Sequence, residues 1–543
     1  MSSLDGALGS EPRGSAPAPA ASKPAAARPW LVAPTVGLAA FMEVLDISIA
    51  NVALQHIAGD LAASAEESTW VLTSYLVANA IVLPMSGWLA AAIGRRKYFL
   101  GCIVGFSATS LLCGLAPSLP LLIAARALQG VTGGGLQPNA QAILADAFPP
   151  HKRGQAFAVY GIAVVFAPAI GPTLGGWITD NLSWRWVFLL NVPVGILLSL
   201  LAARVIVEPP DRVAALKTRF KHGLRFDYVG FAFLVVGMCA LQVVLDKGQE
   251  DDWWSSRFIT SLAITAALAL GAFVVWELRR PDPIVDLRLF KNRNFAIGNM
   301  LMFMVGFVLL SSTVLLPLFV QSQLGYTATE AGMVISPGGF AVMAMMPVVG
   351  ILVGRTDSRW LIAFGLVTTA LSLFNMTRFD TTVDYATVVW ARIYQSVGLA
   401  FLFIPVNTIA FLGLPPGKNN DASAIINMMR NLGGSFGIAI ATTVLARRQQ
   451  VHQNVLVGHV TPWNPQYDST IQALQKAYLA GTSNAADALH QAQAQLYAMV
   501  QRQAAMLSYI DAFLLLAVIF TALVPLVFLL RKPDSASGAP PAH

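Results

Sequence analysis

The chain has 543 residues, of which 56% are hydrophobic and 12% charged, with a formal net charge of +7. Soluble globular proteins average about 25% charged residues, so this composition argues against a soluble domain. The basic residues gather in short clusters between apolar stretches, a pattern of membrane topology, and we predict no nucleic-acid binding.

Fourteen apolar stretches follow one another along the chain, each long enough to cross about 30 Å of hydrocarbon as a helix. They are predicted at residues 30–54, 68–92, 98–116, 120–143, 155–178, 184–205, 227–246, 257–278, 295–323, 328–353, 359–376, 385–413, 421–445 and 506–530. With the N-terminus inside, the basic clusters fall on the cytoplasmic side, as the positive-inside rule requires. The sequence predicts an all-α polytopic membrane protein whose first span is an uncleaved anchor and whose termini are both cytoplasmic.

The two ends of the chain carry little apolar character. Residues 1–29 are rich in Ala, Pro and Ser, and residues 531–543 are similar. Such segments cannot bury enough apolar surface to fold alone, so we predict disordered cytoplasmic tails.

Two acids, Glu43 and Asp46, interrupt the first apolar stretch. A charged side chain near the bilayer centre costs at least ~3 kcal/mol on insertion scales, so an intramembrane acid indicates a functional site. Spaced i and i+3, the two lie on one helix face. A rise of ~1.5 Å per residue places Arg126 of the fourth stretch at nearly the depth of Asp46, with Glu43 nearer the midplane.

An internal repeat organises the stretches into two halves. Residues of the second and fourth stretches recur in the tenth and twelfth at offsets of 263 to 267 residues: Pro84, Gly87 and Leu89 as Pro347, Gly350 and Leu352, and Arg126, Gln129 and Pro138 as Arg392, Gln395 and Pro405. Capping boxes, S/T-x-x-E, repeat at an offset of 263: Ser64 with Glu67, and Thr327 with Glu330.

This offset leaves room for two helices between six-helix halves. We predict a six-plus-two-plus-six architecture, with a six-helix bundle over 30–205, two linker transmembrane helices over 206–294 and a second bundle over 295–530. The second bundle includes a long outer loop, 446–505, whose part from Ala485 to Met506 is predicted to be a polar helix that runs into the last span.

Four sequence motifs carry a family resemblance. They are Gly161-Ile-Ala-Val-Val-Phe-Ala-Pro168-Ala-Ile-Gly171-Pro172-Thr-Leu-Gly175-Gly176 in the fifth stretch, Leu45-Asp46-Ile-Ser-Ile-Ala-Asn51 in the first, Arg126-Ala-Leu-Gln129-Gly130 in the fourth, and Ser183-Trp184-Arg185-Trp186 through Asn191-Val-Pro193 entering the sixth. Through these motifs residues 30–530 resemble the fourteen-helix drug:proton antiporters of the major facilitator superfamily, and among them the permeases of tripartite multidrug efflux pumps.

The resemblance implies a major facilitator fold and a multidrug efflux antiporter of the bacterial inner membrane, not an enzyme. Its implied partners are lipophilic small molecules, protons, the lipid bilayer, a periplasmic adaptor (membrane fusion protein) and an outer-membrane channel. No cofactor or metal is expected. The phosphate-binding pattern G-x-x-x-x-G-K-[ST] does not occur in the sequence, which favours an ion gradient as the energy source.

The acids are interpreted as the proton-coupling site together with Arg126. In the resembled fold the first and fourth helices both face the central cavity, so we expect Arg126 to pair with Asp46 and keep it ionised. Asp46 is favoured as the proton carrier because it matches the family motif, with Glu43 as a second proton or cation site. The alternative is a structural polar cluster in which the acids bond Arg126 or Asn51.

Other candidate residues fall into three groups. The antiporter motif, Gly161, Pro168, Gly171, Pro172, Gly175 and Gly176, predicts a bendable helix with a flat face, or else a generic packing seam. The gating loop keeps Gly87, Gly94, Arg95 and Arg96, although Ala91 replaces the family's Asp; these basic residues serve topology or gating. Cavity contacts are predicted at Gln129, Arg392, Asn407, Asn427 and Arg430.

Two other functions remain open on sequence grounds. One is export of a fatty acid, a lipid or another hydrophobic metabolite by the same antiport, and the other is a passive facilitator or receptor on the same fold. The outer loop is predicted either to dock a partner or to form a solvated lid.

Overall fold

The computed structural model describes residues 29–208, 226–281, 283–415, 418–461, 463–479 and 484–530. Within these ranges the chain is mostly α-helical and contains no β-strand, as the sequence predicts. The predicted tails, apart from residue 29, and the basic loop residues from Lys217 to Arg225 lie outside the described residues.

The described ranges contain seventeen α-helices and short 3-10 helices at Trp253–Ser255 and Leu287–Lys291. In chain order the α-helices are α1 (Pro29–Asp60), α2 (Ala65–Ile93), α3 (Arg95–Gly114), α4 (Leu119–Gly133), α5 (Leu136–Ala147), α6 (Pro150–Asn181), α7 (Arg185–Leu189), α8 (Asn191–Val205), α9 (Tyr228–Lys247), α10 (Arg257–Arg279), α11 (Arg293–Leu324), α12 (Ala328–Leu352), α13 (Ser358–Met376), α14 (Tyr385–Ala410), α15 (Asn419–Val457), α16 (Pro465–Leu479) and α17 (Ala485–Val527).

Helices occupy all fourteen predicted stretches. In the described part of the chain, eleven are long and apolar enough to span a membrane, and α6 makes a twelfth when its two bent parts count as one span. The other two stretches coincide with α4 plus α5, which are each short, and with α15, which is richer in polar residues. The membrane-spanning character is therefore clear, while the count of fourteen spans stays a prediction.

The fourth predicted stretch is not one continuous helix. It breaks between α4 and α5 at Gly134 and Gly135, where two residues of low helix propensity follow each other. A β-carbon at Gly135 would lie 2.5 Å from Tyr98 Oη and 2.6 Å from Cys102 Sγ. Gly135 lets α3 approach closely and Gly134 does the same for α2, and average hydropathy cannot register the interruption.

Both predicted capping boxes are confirmed. Ser64 Oγ accepts from the Glu67 backbone N–H at 3.1 Å, and Glu67 Oε2 accepts from the Ser64 N–H at 2.9 Å. Thr327 and Glu330 make the same reciprocal bonds at 3.2 and 2.8 Å. The two glutamates are therefore helix caps that satisfy backbone donors.

The helices pack against one another within the early part and within the late part of the chain, and further contacts join the two parts. Helix α1, which carries Glu43 and Asp46, packs along α6. Helix α11 packs along α15, and α13 lies between α14 and α17. The helices α9 and α10 pair with each other, and α9 also packs on α2. Contacts of α6 with α12, and of α2 and α5 with α15, join the early helices to the late ones.

Beyond the predicted end of the thirteenth stretch, α15 continues to Val457, and α17 begins at Ala485, well before the last span. The predicted polar helix that runs into the last span is thereby confirmed. Asp511 of α17 accepts from Arg448 at 2.5 Å and pairs with His452 at 2.7 Å, and α16 packs on α17. These contacts brace the long segment as a helical extension.

Candidate functional site

A buried ion pair joins the first and fourth predicted stretches. Arg126 Nη1 donates to Asp46 Oδ2 at 2.6 Å, and both side chains are fully shielded from solvent. The other oxygen of Asp46 accepts from Gln129 Nε2 at 3.2 Å and from Asn191 Nδ2 at 2.7 Å. Three donors thus surround this carboxylate, and charge-assisted bonds of this kind are the strong ones in protein interiors.

Further contacts fix the Arg126 side chain. Its Nε donates to the Val71 carbonyl at 3.2 Å, and its guanidinium carbon lies 4.4 Å from the centre of the Tyr75 ring and 5.4 Å from that of Phe188. These rings supply cation–π attraction. They also enclose the pair, which lies inside the packed group of early helices instead of lining an open cavity as we expected.

Sequence reasoning did not assign a role to Asn191. It lies at the start of α8, donates to Asp46, and also donates to Ser110 Oγ at 3.1 Å. The sequence places Asn191 in the motif that enters the sixth stretch, but that position does not identify its hydrogen-bond partner. Its contact with Asp46 depends on the lateral arrangement of helices.

Glu43 has separate surroundings from Asp46 although the two are three residues apart. Glu43 Oε1 accepts from Asn79 Nδ2 at 3.1 Å, and the same Asn79 group lies 3.5 Å from Tyr75 Oη. Glu43 Oε2 is buried without a hydrogen bond to any described residue. Among the described residues, no cation is therefore hydrogen-bonded to Glu43.

Helix α15 brings polar residues of the second half toward Glu43. Arg430 donates to Gln137 Oε1 of α5, the charge of Arg430 acts on the Glu43 carboxylate, and the Gln137 amide lies next to that carboxylate. Arg430 Nη1 makes no hydrogen bond to the described residues. Glu43 thus lies beside a contact between the two halves, whereas the Asp46 pair lies within one of them.

The other predicted cavity contacts separate into two groups. Asn427 bonds across the halves, donating to Gln141 Oε1 at 2.8 Å, and Gln129 joins the Asp46 cluster. Asn407 instead donates to the Phe403 carbonyl of its own helix at 2.8 Å. Arg392 lies apart from both acids. The sequence missed Gln137 and Gln141, whose i and i+4 spacing places them on one face of α5.

The antiporter motif packs against the helix that carries the acids. Of its glycines, Gly171 faces Ser48, where a β-carbon would collide with the side chain, and a β-carbon at Gly175 would lie 3.2 Å from Ile49 Cα. At Gly161 a β-carbon would lie 3.0 Å from Met346 of the second half.

The segment that is predicted to be bendable is bent in the structure. Helix α6 turns by 43° between Pro168 and Ile170, and Pro172 follows within the same helix. A proline removes a backbone donor and clashes with the preceding turn, which is the physical cause of such a bend.

Replacing Gly171 with Ala should lower the free energy of unfolding by about 1 to 3 kcal/mol, because the added methyl group is forced into a packed helix seam. Gly176→Ala is the matched control, since a β-carbon there meets nothing within 4 Å. Denaturation of the purified full chain in detergent measures both variants. Equal losses of stability would contradict a close seam between α1 and α6.

The gating loop connects several helices at the end of the molecule that carries the basic clusters, which we call the basic end. Gly94 takes a left-handed φ of 97° between α2 and α3, a conformation that favours glycine. Arg96 donates to the Ala203 carbonyl in the last turn of α8 at 2.6 Å. Glu208 Oε2 accepts from the Arg96 backbone N–H at 2.8 Å and so caps the start of α3.

A carboxylate does connect the halves at the basic end, although residue 91 is an alanine. Asp146 of α5 accepts from Arg95 and from Asn419 at the start of α15. Beside it, a β-carbon at Gly87 would lie 3.0 Å from Asp421 Cα. The helices α2, α3, α5 and α15 therefore meet here through Asp146 and the bare backbone of Gly87.

Comparisons with known proteins agree with this architecture. The family model described as Major Facilitator Superfamily matches residues 36–438. The chain is 37% identical over 504 residues to "Multidrug export protein EmrB" of Escherichia coli K12, covering 93% of this chain and 95% of the relative. It is 36% identical over 507 residues to "Fatty acid resistance protein FarB" of Neisseria gonorrhoeae, covering 93% and 97%. The solved human organic anion transporter MFSD10 (TETRAN) matches with a TM-score of 0.56 at 14% identity, covering 93% of this chain and 99% of that one, a likeness of fold alone.

Proposed function

Because the chain belongs to the major facilitator superfamily, we propose that it is a proton-coupled antiporter that exports lipophilic compounds across the bacterial inner membrane. It is a multi-pass membrane transporter and not an enzyme. Similarity to relatives named for multidrug export and for fatty acid resistance supports a lipophilic substrate. Transport in this superfamily proceeds by alternating access between two repeats.

The observation that carries the proposal is the pair of buried acids on α1 with different surroundings. Asp46 is held by Arg126 and two amides inside the first half. Glu43 has one amide donor and an oxygen without a partner among the described residues. Carboxylates at membrane depth are costly and mark ion and proton pathways, and these two offer one fixed charge and one adaptable group.

Proton coupling would operate at the contact between the halves. A proton that binds Glu43 from the outer side removes a negative charge beside Arg430 and Gln137, and so changes the contact between α15 and the early helices. Substrate competes with that proton, and the protonated carrier returns empty. The sequence motif favours Asp46 as the carrier of the proton, whereas the hydrogen bonds favour Glu43.

Alternating access would use the packed contacts of α6 and the contacts at the basic end. The bent helix α6 packs on α1 and on α12 of the second half, so a rocking movement can reach the acids through Gly171 and Gly175. At the basic end Asp146 bonds Asn419 across the halves, in the role that the missing acid at residue 91 would have in a gate latch. We propose that these contacts separate when the transporter opens toward the cytoplasm.

We propose further that the protein works as the permease of a tripartite pump. The helical extension formed by the end of α15, α16 and the start of α17 supplies a surface for a periplasmic adaptor, which would connect to an outer-membrane channel. The extension is polar and braced by Arg448 and His452 on Asp511. In this arrangement both chain termini are cytoplasmic.

Proton release on substrate binding tests the proposal. Purified protein in weakly buffered detergent solution receives ethidium as a lipophilic probe, and a pH-sensitive dye records released protons. An antiporter releases protons, and liposomes containing it accumulate ethidium when an outward-directed proton gradient is applied, because protons that leave the lumen drive ethidium into it. Binding of ethidium without proton release would leave a passive facilitator or receptor as the function.

A further inference from the structure

The Arg/Gln pair of the fourth predicted stretch is repeated in the second half. Arg126 Nη1 donates to Gln129 Oε1 at 2.8 Å, and Arg392 Nη1 donates to Gln395 Oε1 at 2.7 Å. Each pair is spaced i and i+3, and the two are 266 residues apart in the chain. The two halves therefore present guanidinium and amide groups in the same internal arrangement.

The acid that completes the first arrangement has no counterpart in the second. At the same offset of 266 residues Asp46 corresponds to Ser312, whose hydroxyl accepts from Arg392 Nη1 at 3.2 Å. Arg392 Nη2 bonds Thr313 Oγ1 at 3.4 Å. No carboxylate of the described residues lies within 4.0 Å of this guanidinium.

Two donors at this position are left without acceptors. In the first half Gln129 Nε2 donates to Asp46, whereas its counterpart Gln395 Nε2 makes no hydrogen bond to the described residues, and neither does Arg392 Nε. Arg392 is only 6% exposed. A buried cation without a counter-charge is costly, and buried donors are normally paired.

Small side chains surround the unpaired donors. A β-carbon at Gly338 would lie 3.2 Å from Arg392 Nε, so the α12 backbone passes close to this edge of the guanidinium without a side chain between them. Ser312 replaces a longer acid, and Thr313 beside it is only half-buried. The arrangement has the donors for a planar anion, and a serine in the place of the acid that fills the equivalent position in the first half.

We propose that Arg392 and Gln395 bind the carboxylate of an anionic amphiphile, in the manner in which Arg126 and Gln129 bind Asp46. The inference rests on the proposed transport function and names one substrate class for it, lipophilic carboxylates. Bound there, the carboxylate takes the place of the Ser312 hydroxyl on Arg392 Nη1, accepts from Gln395 Nε2 and neutralises the guanidinium. Its alkyl chain extends among the apolar residues of the bundle.

Ser312→Asp tests the site by building in the missing acid. The purified full chain is titrated with laurate, and with dodecanol as an uncharged probe of equal chain length. The new carboxylate should occupy the site and weaken laurate binding about tenfold or more, since it removes the net charge that attracts the ligand. Dodecanol binding should not change. Ser312→Ala is the matched control, because it changes the same side chain without placing an acid beside Arg392, and it should lose at most about threefold in laurate affinity.

Arg392→Gln provides a second measurement in case the first variant misfolds, and it should lose laurate binding to a similar degree. Laurate affinity that is unchanged in Ser312→Asp, or equal losses for laurate and dodecanol, would overturn the inference. Failure of the proposed transport function has a different signature. In that case the unaltered chain releases no protons on binding ethidium, whatever its affinity for laurate.

Discussion

Asp46→Asn should lower the free energy of unfolding by about 3 to 5 kcal/mol, the cost of breaking one side of a buried ion pair. The variant leaves Arg126 fully buried among Tyr75, Phe188 and the Val71 carbonyl without its counter-charge. It should also reduce proton-driven ethidium exchange in proteoliposomes to the level of empty liposomes. Denaturation in detergent and dye flux measure the two effects on the same preparation.

The double variant Asp46→Asn with Arg126→Gln separates charge from architecture. With both charges removed, much of the lost stability should return, because neither side chain is left as a buried charge without a partner. Transport should stay at background if the pair takes part in coupling. A double variant that regains transport together with stability would assign Asp46 and Arg126 a structural role alone.

The fold and the pairing of Asp46 with Arg126 could be predicted from the sequence for a physical reason. Long apolar stretches predict helices because only hydrogen-bonded helices or barrels satisfy the backbone in a bilayer. The rise per residue then places Asp46 and Arg126 at similar depth, and the structure brings the two side chains to 2.6 Å. Depth along a helix is a one-dimensional quantity, so it can be counted from the sequence.

What the sequence could not supply is the lateral arrangement of helices. Asn79, which bonds Glu43, and Asn191, which bonds Asp46, lie on helices whose rotation about their own axes the sequence pattern leaves open. A span that is apolar all round gives no strong face preference. The break at Gly134 and Gly135 was missed for a related reason, since glycine hardly changes average hydropathy.

The departure at Ala91 shows why a motif read alone misjudges a gate. In the gating loop Ala91 replaces the acid that the family motif carries. In the structure Asp146 lies at the same basic end and accepts from Arg95 of the gating loop and from Asn419 of the other half. A carboxylate from another helix therefore connects the gating loop to the second half, and the order of residues along the chain does not reveal this contact.

Glu43→Gln should abolish proton release on ethidium binding while leaving the free energy of unfolding within about 1 kcal/mol of the unaltered chain. The glutamine can still accept from Asn79 through its carbonyl oxygen, and no ion pair is broken because Glu43 has no bonded cation among the described residues. A stable protein that binds ethidium and releases no protons is the expected result.

The comparison between the two acid variants identifies the proton carrier. Ethidium counterflow between equal proton concentrations requires substrate binding and alternation but no net proton movement, so Glu43→Gln should retain it. Asp46→Asn should lose counterflow as well, because it disturbs the hydrogen-bonded cluster that holds α1, α4 and α8 together. If instead Glu43→Gln releases protons like the unaltered chain, Glu43 is not the carrier, and Asp46, which the family motif favours, is left in that role. Because the two acids have different hydrogen-bond partners, their variants are expected to give opposite results in the counterflow measurement.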